Sequence, residues 1–260
     1  MGSVVAELLK LRRSHSWAVV VALPLMAVFT GTATTLASGR PLDDGWQTLW
    51  LRVVVFHGLV PQAVGLAALG SLVWRVEHRP GNWDALTGRG VGGREIVLGK
   101  LAALSVLAAV MQVFLLLGTA VAGTLVFDLP GLPPLRHVLV TAVVVVACIP
   151  VLALQSALSM RMRSFAAPVA IALVGAVVSV GVLLAGTGAF LVAVPYALLA
   201  RATQLGTGVV ADDGTITAGT VLGIVAAAVV TTAVLVETTA RLLERGDLHQ
   251  GVRSGSRGPG

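Results

Sequence analysis

Six long apolar stretches constrain the fold of this chain more than any other feature. A helix needs about 20 mostly apolar residues to cross a bilayer. These stretches reach that length, and they are continuous rather than alternating, which argues against a barrel of strands. We therefore predict an all-α integral membrane protein with a single transmembrane domain over residues 1–240. Its six transmembrane helices are predicted at about 17–37, 53–74, 97–126, 137–160, 165–194 and 218–238.

The composition agrees with a membrane setting. Only 12% of the residues are charged and 56% are hydrophobic, whereas a soluble domain has about 25% charged residues. Cys148 is the single cysteine and lies in an apolar run. This excludes an internal disulfide framework and a cysteine-based metal site. The five histidines are scattered, so no metal site is predicted.

The first apolar stretch has two interpretations. Lys10, Arg12 and Arg13 precede it and "TLAS" ends it, as in a secretory signal. However, the stretch is longer than a usual signal core, and five further spans follow. We therefore expect a transmembrane helix. The preceding "SVVAELLKLRR" places apolar residues on one helical face, which predicts a short interfacial helix; a frayed tail is the alternative.

The distribution of Lys and Arg predicts the orientation. Fourteen of the 18 lie in the N-terminal segment, in the loops after the second and fourth spans, and in the C-terminal tail; the other three loops have four. Cytoplasmic loops carry the excess of these residues. Both termini are therefore predicted to be cytoplasmic. The Gly/Ser-rich tail over 241–260 is predicted to be disordered, and 196–217 is predicted to form an external cap.

No catalytic or nucleotide site is evident in the sequence. "GGREIVLGKL" resembles a phosphate loop, but Gly93 and Gly99 are one residue too far apart, and Leu101 stands where Ser or Thr would bind magnesium. No HExxH or GxSxG motif is present, and no span contains a pair of carboxylates. We therefore expect a chain that is not an enzyme and that holds no cofactor of its own.

The spans contain a few polar residues of interest. His57, Gln62 and Gln112 lie within predicted spans. They are candidates for lining a path for a polar or amphipathic solute. Packing of His57 and hydrogen bonding between helices by the glutamines are the alternatives.

The densest group of charges lies in "WRVEHRPGNWDALTGRGVGGREIVLGK", from Trp74 to Lys100. This loop is much longer than a usual helix connection. "RPGN" predicts a turn, and Asn82 can cap a short helix that begins at Trp83. Trp83 and Leu86 would share one face of that helix. They would either dock in a groove of a soluble partner or, in the alternative, rest at the lipid interface.

Three segments carry a resemblance to a known family. "ELLKLRRSHSW", "EHRPGNWDALTGRGVGGREIVLGKL" and "LQSALSMRMRS" resemble the permease subunits of type-2 ABC exporters, in the subgroup of lantibiotic and bacitracin immunity permeases. The resemblance implies a coupling helix, in the loop after the second span, that contacts a separate ATPase. Arg94 and Lys100 match the basic positions before the third span. The coupling segment would comprise Glu77, Asn82, Trp83, Asp84 and Leu86.

The resemblance implies a transport subunit in a bacterial plasma membrane. Its partners would be an ABC ATPase subunit, which binds ATP and Mg, a second permease copy or a related permease, and membrane lipid. The cargo would be an amphipathic peptide or antibiotic, and no nucleic acid is expected. The alternative is a membrane-embedded enzyme or a scaffold without transport. An enzyme would need a polar cluster within the spans, and a scaffold would have no ATPase partner.

Overall fold

The computed structural model describes residues 15–78, 92–186 and 194–255. Within these ranges the chain forms eight helices and no strand. The predicted interfacial N-terminal helix and the predicted coupling helix lie outside the described residues. The helices are α1 Ser16–Ser38, α2 Gly45–Leu59, α3 Pro61–Arg75, α4 Gly93–Leu125, α5 Leu135–Arg161, α6 Ala166–Leu184, α7 Pro195–Thr203 and α8 Ala218–Gly255.

Five helices are each long and apolar enough to cross a membrane: α1, α4, α5, α6 and the Ala218–Glu244 part of α8. Helices α2 and α3 together form a sixth candidate span, which is bent by 52°. The prediction of an all-α, multi-pass membrane protein is therefore confirmed. The bend falls at Pro61, whose ring removes a backbone donor and clashes with the preceding turn.

Helix α5 lies at the centre of the bundle and is the most buried of the five spans. It packs against α3, α4, α7 and α8, while α1 packs on α2, α3 and α4. The outer helices α1, α6 and α8 expose large apolar side chains such as Phe29, Val174 and Leu222. Such surfaces are expected where helices face lipid or another membrane subunit.

Helix α7 corrects two expectations. The fifth span was expected to reach residue 194, but α6 ends at Leu184. The segment from 196 was expected to be an external cap, yet Tyr196–Ala200 are at most 6% exposed inside the bundle. Tyr196 lies against Gly175, in the middle of α6. Helix α7 is therefore re-entrant: although α6 ends at Leu184, α7 begins at the level of the centre of α6.

Two glycines allow α7 to approach its neighbours closely. A Cβ atom on Gly175 would lie 2.5 Å from the Tyr196 ring, and a Cβ on Gly58 in α2 would lie 2.4 Å from Thr203. Real Cβ atoms do not approach other atoms so closely, because interiors are close-packed. The two ends of α7 thus rest on glycines from two different helices.

The last helix also differs from expectation. Disorder was predicted from residue 241, but α8 remains helical to Gly255. Leu243 is buried and Leu242 packs against the core. Arg241 pairs with Glu237, one turn earlier. Because the apolar face continues beyond the span, the helix continues with it.

Candidate coupling site and interior polar cluster

A buried ion pair closes the base of the long loop between α3 and α4. Lys100 Nζ lies 2.8 Å from Glu77 Oε1, and the two side chains are 1% and 4% exposed. Glu77 follows the end of α3 by two residues, whereas Lys100 lies about two turns inside α4. The pair therefore joins α3 and α4 close to the two ends of the segment 79–91.

Trp74 extends this pair into the bundle. Its ring is fully buried, and Lys100 Nζ lies 4.9 Å from the ring centroid, within the range of a cation–π contact. The indole nitrogen donates a hydrogen bond of 2.7 Å to Ser156 Oγ in α5. Lys100 thus lies between a carboxylate and an aromatic face. Three helices, α3, α4 and α5, meet at this point.

The location makes the pair sensitive to single substitutions. A buried charge without its partner keeps its desolvation penalty, so removing one member of such a pair costs about 3–5 kcal/mol. Replacing both members with apolar residues of similar volume can be neutral. Because single and double replacements differ in this way, comparing them can separate a role of the pair in folding from a role in transmitting force from the loop.

Arg94, the other described residue of the predicted coupling set, lies elsewhere. It is exposed on α4 and lines a groove of about 330 Å³ with Glu237 of α8. The groove walls are otherwise mostly apolar and come from α4, α5 and α8. Arg94 is therefore separate from the Glu77–Lys100 pair. Asn82, Trp83, Asp84 and Leu86 lie outside the described residues.

The three polar residues singled out in the spans lie around one interior cavity. His57, Gln62 and Gln112 are each at most 4% exposed. Thr141 and Thr203 also line the cavity, which has a volume of about 10 Å³. Such a volume holds about one water molecule. In this arrangement the cluster has no room for a larger solute.

The hydrogen bonding of this cluster is incomplete. Gln62 Nε2 donates to Cys148 Sγ at 3.3 Å. The Nε2 atoms of His57 and Gln112 are buried and have no hydrogen-bond partner within the described part of the chain. Buried polar atoms are nearly always hydrogen-bonded, to protein or to ordered water.

Helix α7 contributes polar groups that sequence analysis missed. Gln155 in α5 donates a hydrogen bond to the Tyr196 hydroxyl. Gln204 Nε2 donates to the carbonyl of Val55 in α2 at 3.2 Å. These bonds join residues more than 40 positions apart, so spacing along the sequence could not reveal them. In the sequence, the only signal for these contacts was the presence of polar residues next to Pro195.

A second set of hydrogen bonds links the first turns of α2 and α5 to the loop after α7. His137 stacks on Trp50 with ring centroids 4.8 Å apart. Its Nε2 lies 2.9 Å from Gln47 Oε1, and Gln47 Nε2 donates to the Gly206 carbonyl at 3.0 Å. An amide oxygen only accepts, so His137 carries its proton on Nε2. The loop after α7 is thereby tied to α2 and α5.

The polar groups described above do not form a metal centre. In ranges 15–78, 92–186 and 194–244, whose side chains are described, no three His, Cys, Asp or Glu residues cluster closely enough to hold an ion. The charged and polar side chains instead pair with one another or line the small cavity. They therefore hold neighbouring helices together.

Comparison with known proteins adds a family assignment. The model of the family described as "ABC-2 family transporter protein" matches residues 3–179. This match covers well over half of the chain and runs from the N-terminal segment into α6. Searches of curated proteins and of solved structures found no match.

The family assignment sets the general role of the chain. Members are membrane transport components that are not themselves enzymes and that work with an ABC ATPase. A multi-pass location in a bacterial plasma membrane fits both the family and the apolar spans. The chain belongs to the ABC-2 family of transporter proteins, as a transmembrane transporter subunit.

Proposed function

We propose that this chain is the permease of an exporter that moves an amphipathic peptide or antibiotic, as in lantibiotic or bacitracin immunity. A separate ABC ATPase would dock on residues 79–91, with Trp83 and Leu86 as the main contacts. The buried Glu77–Lys100 pair is the observation that supports this most. A loop that transmits force needs a firm base, and this pair fixes both ends of the loop to the bundle.

Force applied to the loop would reach the interior along α3. Glu77 and Trp74 connect the loop to the foot of α3, and Trp74 also contacts α5 through Ser156. At its other end α3 begins at Pro61, next to the bend and to the cavity lined by His57 and Gln62. A tilt of α3 against α2 would therefore change the polar cluster. Hinges of this kind commonly absorb conformational change.

The pathway for a peptide would lie between two permease subunits. The interior cavity of one subunit, at about 10 Å³, accommodates roughly one water molecule. A second copy or a related permease would pack against exposed apolar helix faces. His57, Gln62 and Gln112 would contribute to the path when the cluster opens, and they would hold the helices together when it is closed.

Site-specific crosslinking tests this proposal. Cys148 is fully buried, so it gives little background labelling. A photoreactive thiol crosslinker on Thr87→Cys, which leaves Trp83 and Leu86 in place, should capture the partner ABC ATPase when the two are co-expressed. The same reagent on Val209→Cys, an exposed position in the loop after α7, is the control. Equal capture at both positions, or no capture at residue 87, would contradict docking on this loop.

A further inference from the structure

A basic pocket lies beside the coupling site, where α3 and α5 end and α6 begins. It has a volume of about 190 Å³. The charge bias of the chain assigns this end of the bundle to the cytoplasm. Arg75, His78 and Arg163 line the pocket, and none of its lining residues within the described ranges is acidic. A group of basic side chains around one pocket, with no carboxylate among them, favours the binding of an anion.

Its two arginines differ from other cations of the protein. Lys100, Arg201 and Arg241 each pair with a carboxylate at 2.7–2.8 Å. Arg75 and Arg163 are exposed, and neither forms an ion pair with any residue in the described ranges. Their guanidinium groups are therefore available to an external anion. Guanidinium matches phosphate geometry well, because it can donate two parallel hydrogen bonds.

The floor of the pocket is polar and buried. Ser71 and Ser159 are 5% and 2% exposed, and their hydroxyl oxygens lie 3.3 Å apart. Two hydroxyls share one hydrogen bond here, so one of their two hydrogens remains to be donated elsewhere. His78 Nε2 lies 2.8 Å from the Ser159 carbonyl. Since a carbonyl only accepts, this nitrogen donates, and the imidazole is held at the wall of the pocket.

The rim of the pocket is apolar on one side. Phe165 lines the pocket and is 42% exposed. It stands at the start of α6, where no side chain caps the first turn. The uncapped N–H groups favour negative charge nearby. A cationic pocket that reaches about one turn into the span, next to exposed aromatic surface, matches an amphiphile better than a free ion.

We propose that this pocket binds the phosphate of an anionic phospholipid from the cytoplasmic leaflet. Arg75 and Arg163 bind the phosphate oxygens, a serine hydroxyl donates from below, and Phe165 contacts the start of an acyl chain. Basic pockets between transmembrane helices on the cytoplasmic side recognise anionic head groups in this manner. The inference does not depend on the proposed ATPase. An acidic side chain of a soluble partner would use the arginines but would leave Phe165 and the buried serines without a role.

Lipid binding to the purified full chain tests the proposal. The chain in phosphatidylcholine nanodiscs is titrated with phosphatidylglycerol, and bound lipid is counted by native mass spectrometry. Replacing both arginines, as Arg75→Gln with Arg163→Gln, should weaken phosphatidylglycerol binding about thirtyfold. Ser164→Glu, which adds a negative charge to the exposed rim, should weaken it in the same direction. Arg40→Gln with Arg136→Gln, at the other end of the bundle, should leave it unchanged.

Two further arms distinguish other sources of the anion. Inorganic phosphate should compete with phosphatidylglycerol only weakly; competition at equal concentrations would identify a free phosphate and overturn the lipid assignment. Co-expressed ATPase should leave the bound lipid in place. Loss of lipid on ATPase binding would assign the pocket to that partner, and wild-type lipid binding by the double arginine variant would overturn the site itself.

Discussion

The ring of Tyr196 lies against the Cα of Gly175, nine residues before the end of α6. This contact returns the chain to the middle of the bundle after it has passed Leu184. In the re-entrant helix α7 that results, the Tyr196 hydroxyl accepts a hydrogen bond from Gln155, and Gln204, directly after the helix, donates one to the carbonyl of Val55. Helices α2, α5 and α6 are thereby connected through one short segment.

Gly175→Ala should destabilise the protein. The added Cβ would lie 2.5 Å from the Tyr196 ring, and such overpacking costs about 1–3 kcal/mol. Gly181→Ala in the same helix is the matched control, since nothing lies within 4 Å of its Cβ position. Thermal unfolding in detergent should show a lower midpoint only for Gly175→Ala. Equal midpoints would argue against the close approach of α7.

Single cysteines should report the orientation of the spans. An impermeant thiol reagent applied to intact cells should label Asp43→Cys and Asp128→Cys. Arg89→Cys should be labelled only after the membrane is permeabilised, because the excess of Lys and Arg places its loop inside. Buried Cys148 should stay unlabelled throughout. Labelling of residue 89 in intact cells would reverse the assignment of both ends of the bundle.

Asp212 should hold the loop after α7 in place. Its carboxylate is buried, pairs with Arg201 at 2.7 Å, and accepts N–H groups from Gly208 and Gly214 at 3.0 Å. In Asp212→Ala these amides lose their acceptor, so hydrogen exchange over 206–216 should become much faster. Exposed Asp43→Ala serves as the control. Unchanged exchange in Asp212→Ala would show that the loop is ordered by other contacts.

The carboxyl group of Asp213, next to Asp212, is a reason to run this hydrogen-exchange experiment at neutral pH. The backbone and side chain of Thr215 donate hydrogen bonds to Asp213, and these lower its pKa below the usual 3.8. A lowered pKa contributes stability above the unfolded value, and that contribution is lost as the pH falls through the lowered value. At neutral pH Asp213 is therefore charged, and its hydrogen bonds with Thr215 contribute stability there.

Hydropathy predicted the all-α, multi-pass fold because it is a strong signal over about 20 residues. It predicted neither the end of the fifth span at Leu184 nor the re-entrant α7. The two errors have one cause: the segment "YALLARAT" is as compatible with a surface helix as with a buried one. Burial of α7 depends on Gly58 and Gly175, which lie far away in sequence and make room for it.

The candidate sites were predicted in part. His57, Gln62 and Gln112 were selected for being polar within spans, and they share one cavity. Thr203 lies at the same cavity but was missed, because its position depends on α7. Similarly, Lys100 was noted as a basic residue before the third span. Its burial against Glu77 and Trp74 depends on the packing of α3 on α4, which no local pattern encodes.

The most direct test of the account is the ATP turnover that this chain stimulates in its ATPase, measured with variants of the buried pair. Glu77→Gln and Lys100→Met should each destabilise the permease and reduce stimulation, because each removes the partner of a buried charge. The double variant leaves neither of these two charges buried without the other, so its thermal stability should recover relative to the single variants. Exposed Glu237→Gln with Arg241→Gln is the control.

The double variant decides between a transmitting and a purely structural role. If the pair fixes the loop so that force passes to α3 and α4, stimulated turnover should stay at least about tenfold below wild type although the stability has returned, which corresponds to about 1.4 kcal/mol of activation free energy. If stimulated turnover instead returns to the wild-type rate together with stability, the Glu77–Lys100 pair only helps the permease to fold, and the proposed coupling is contradicted.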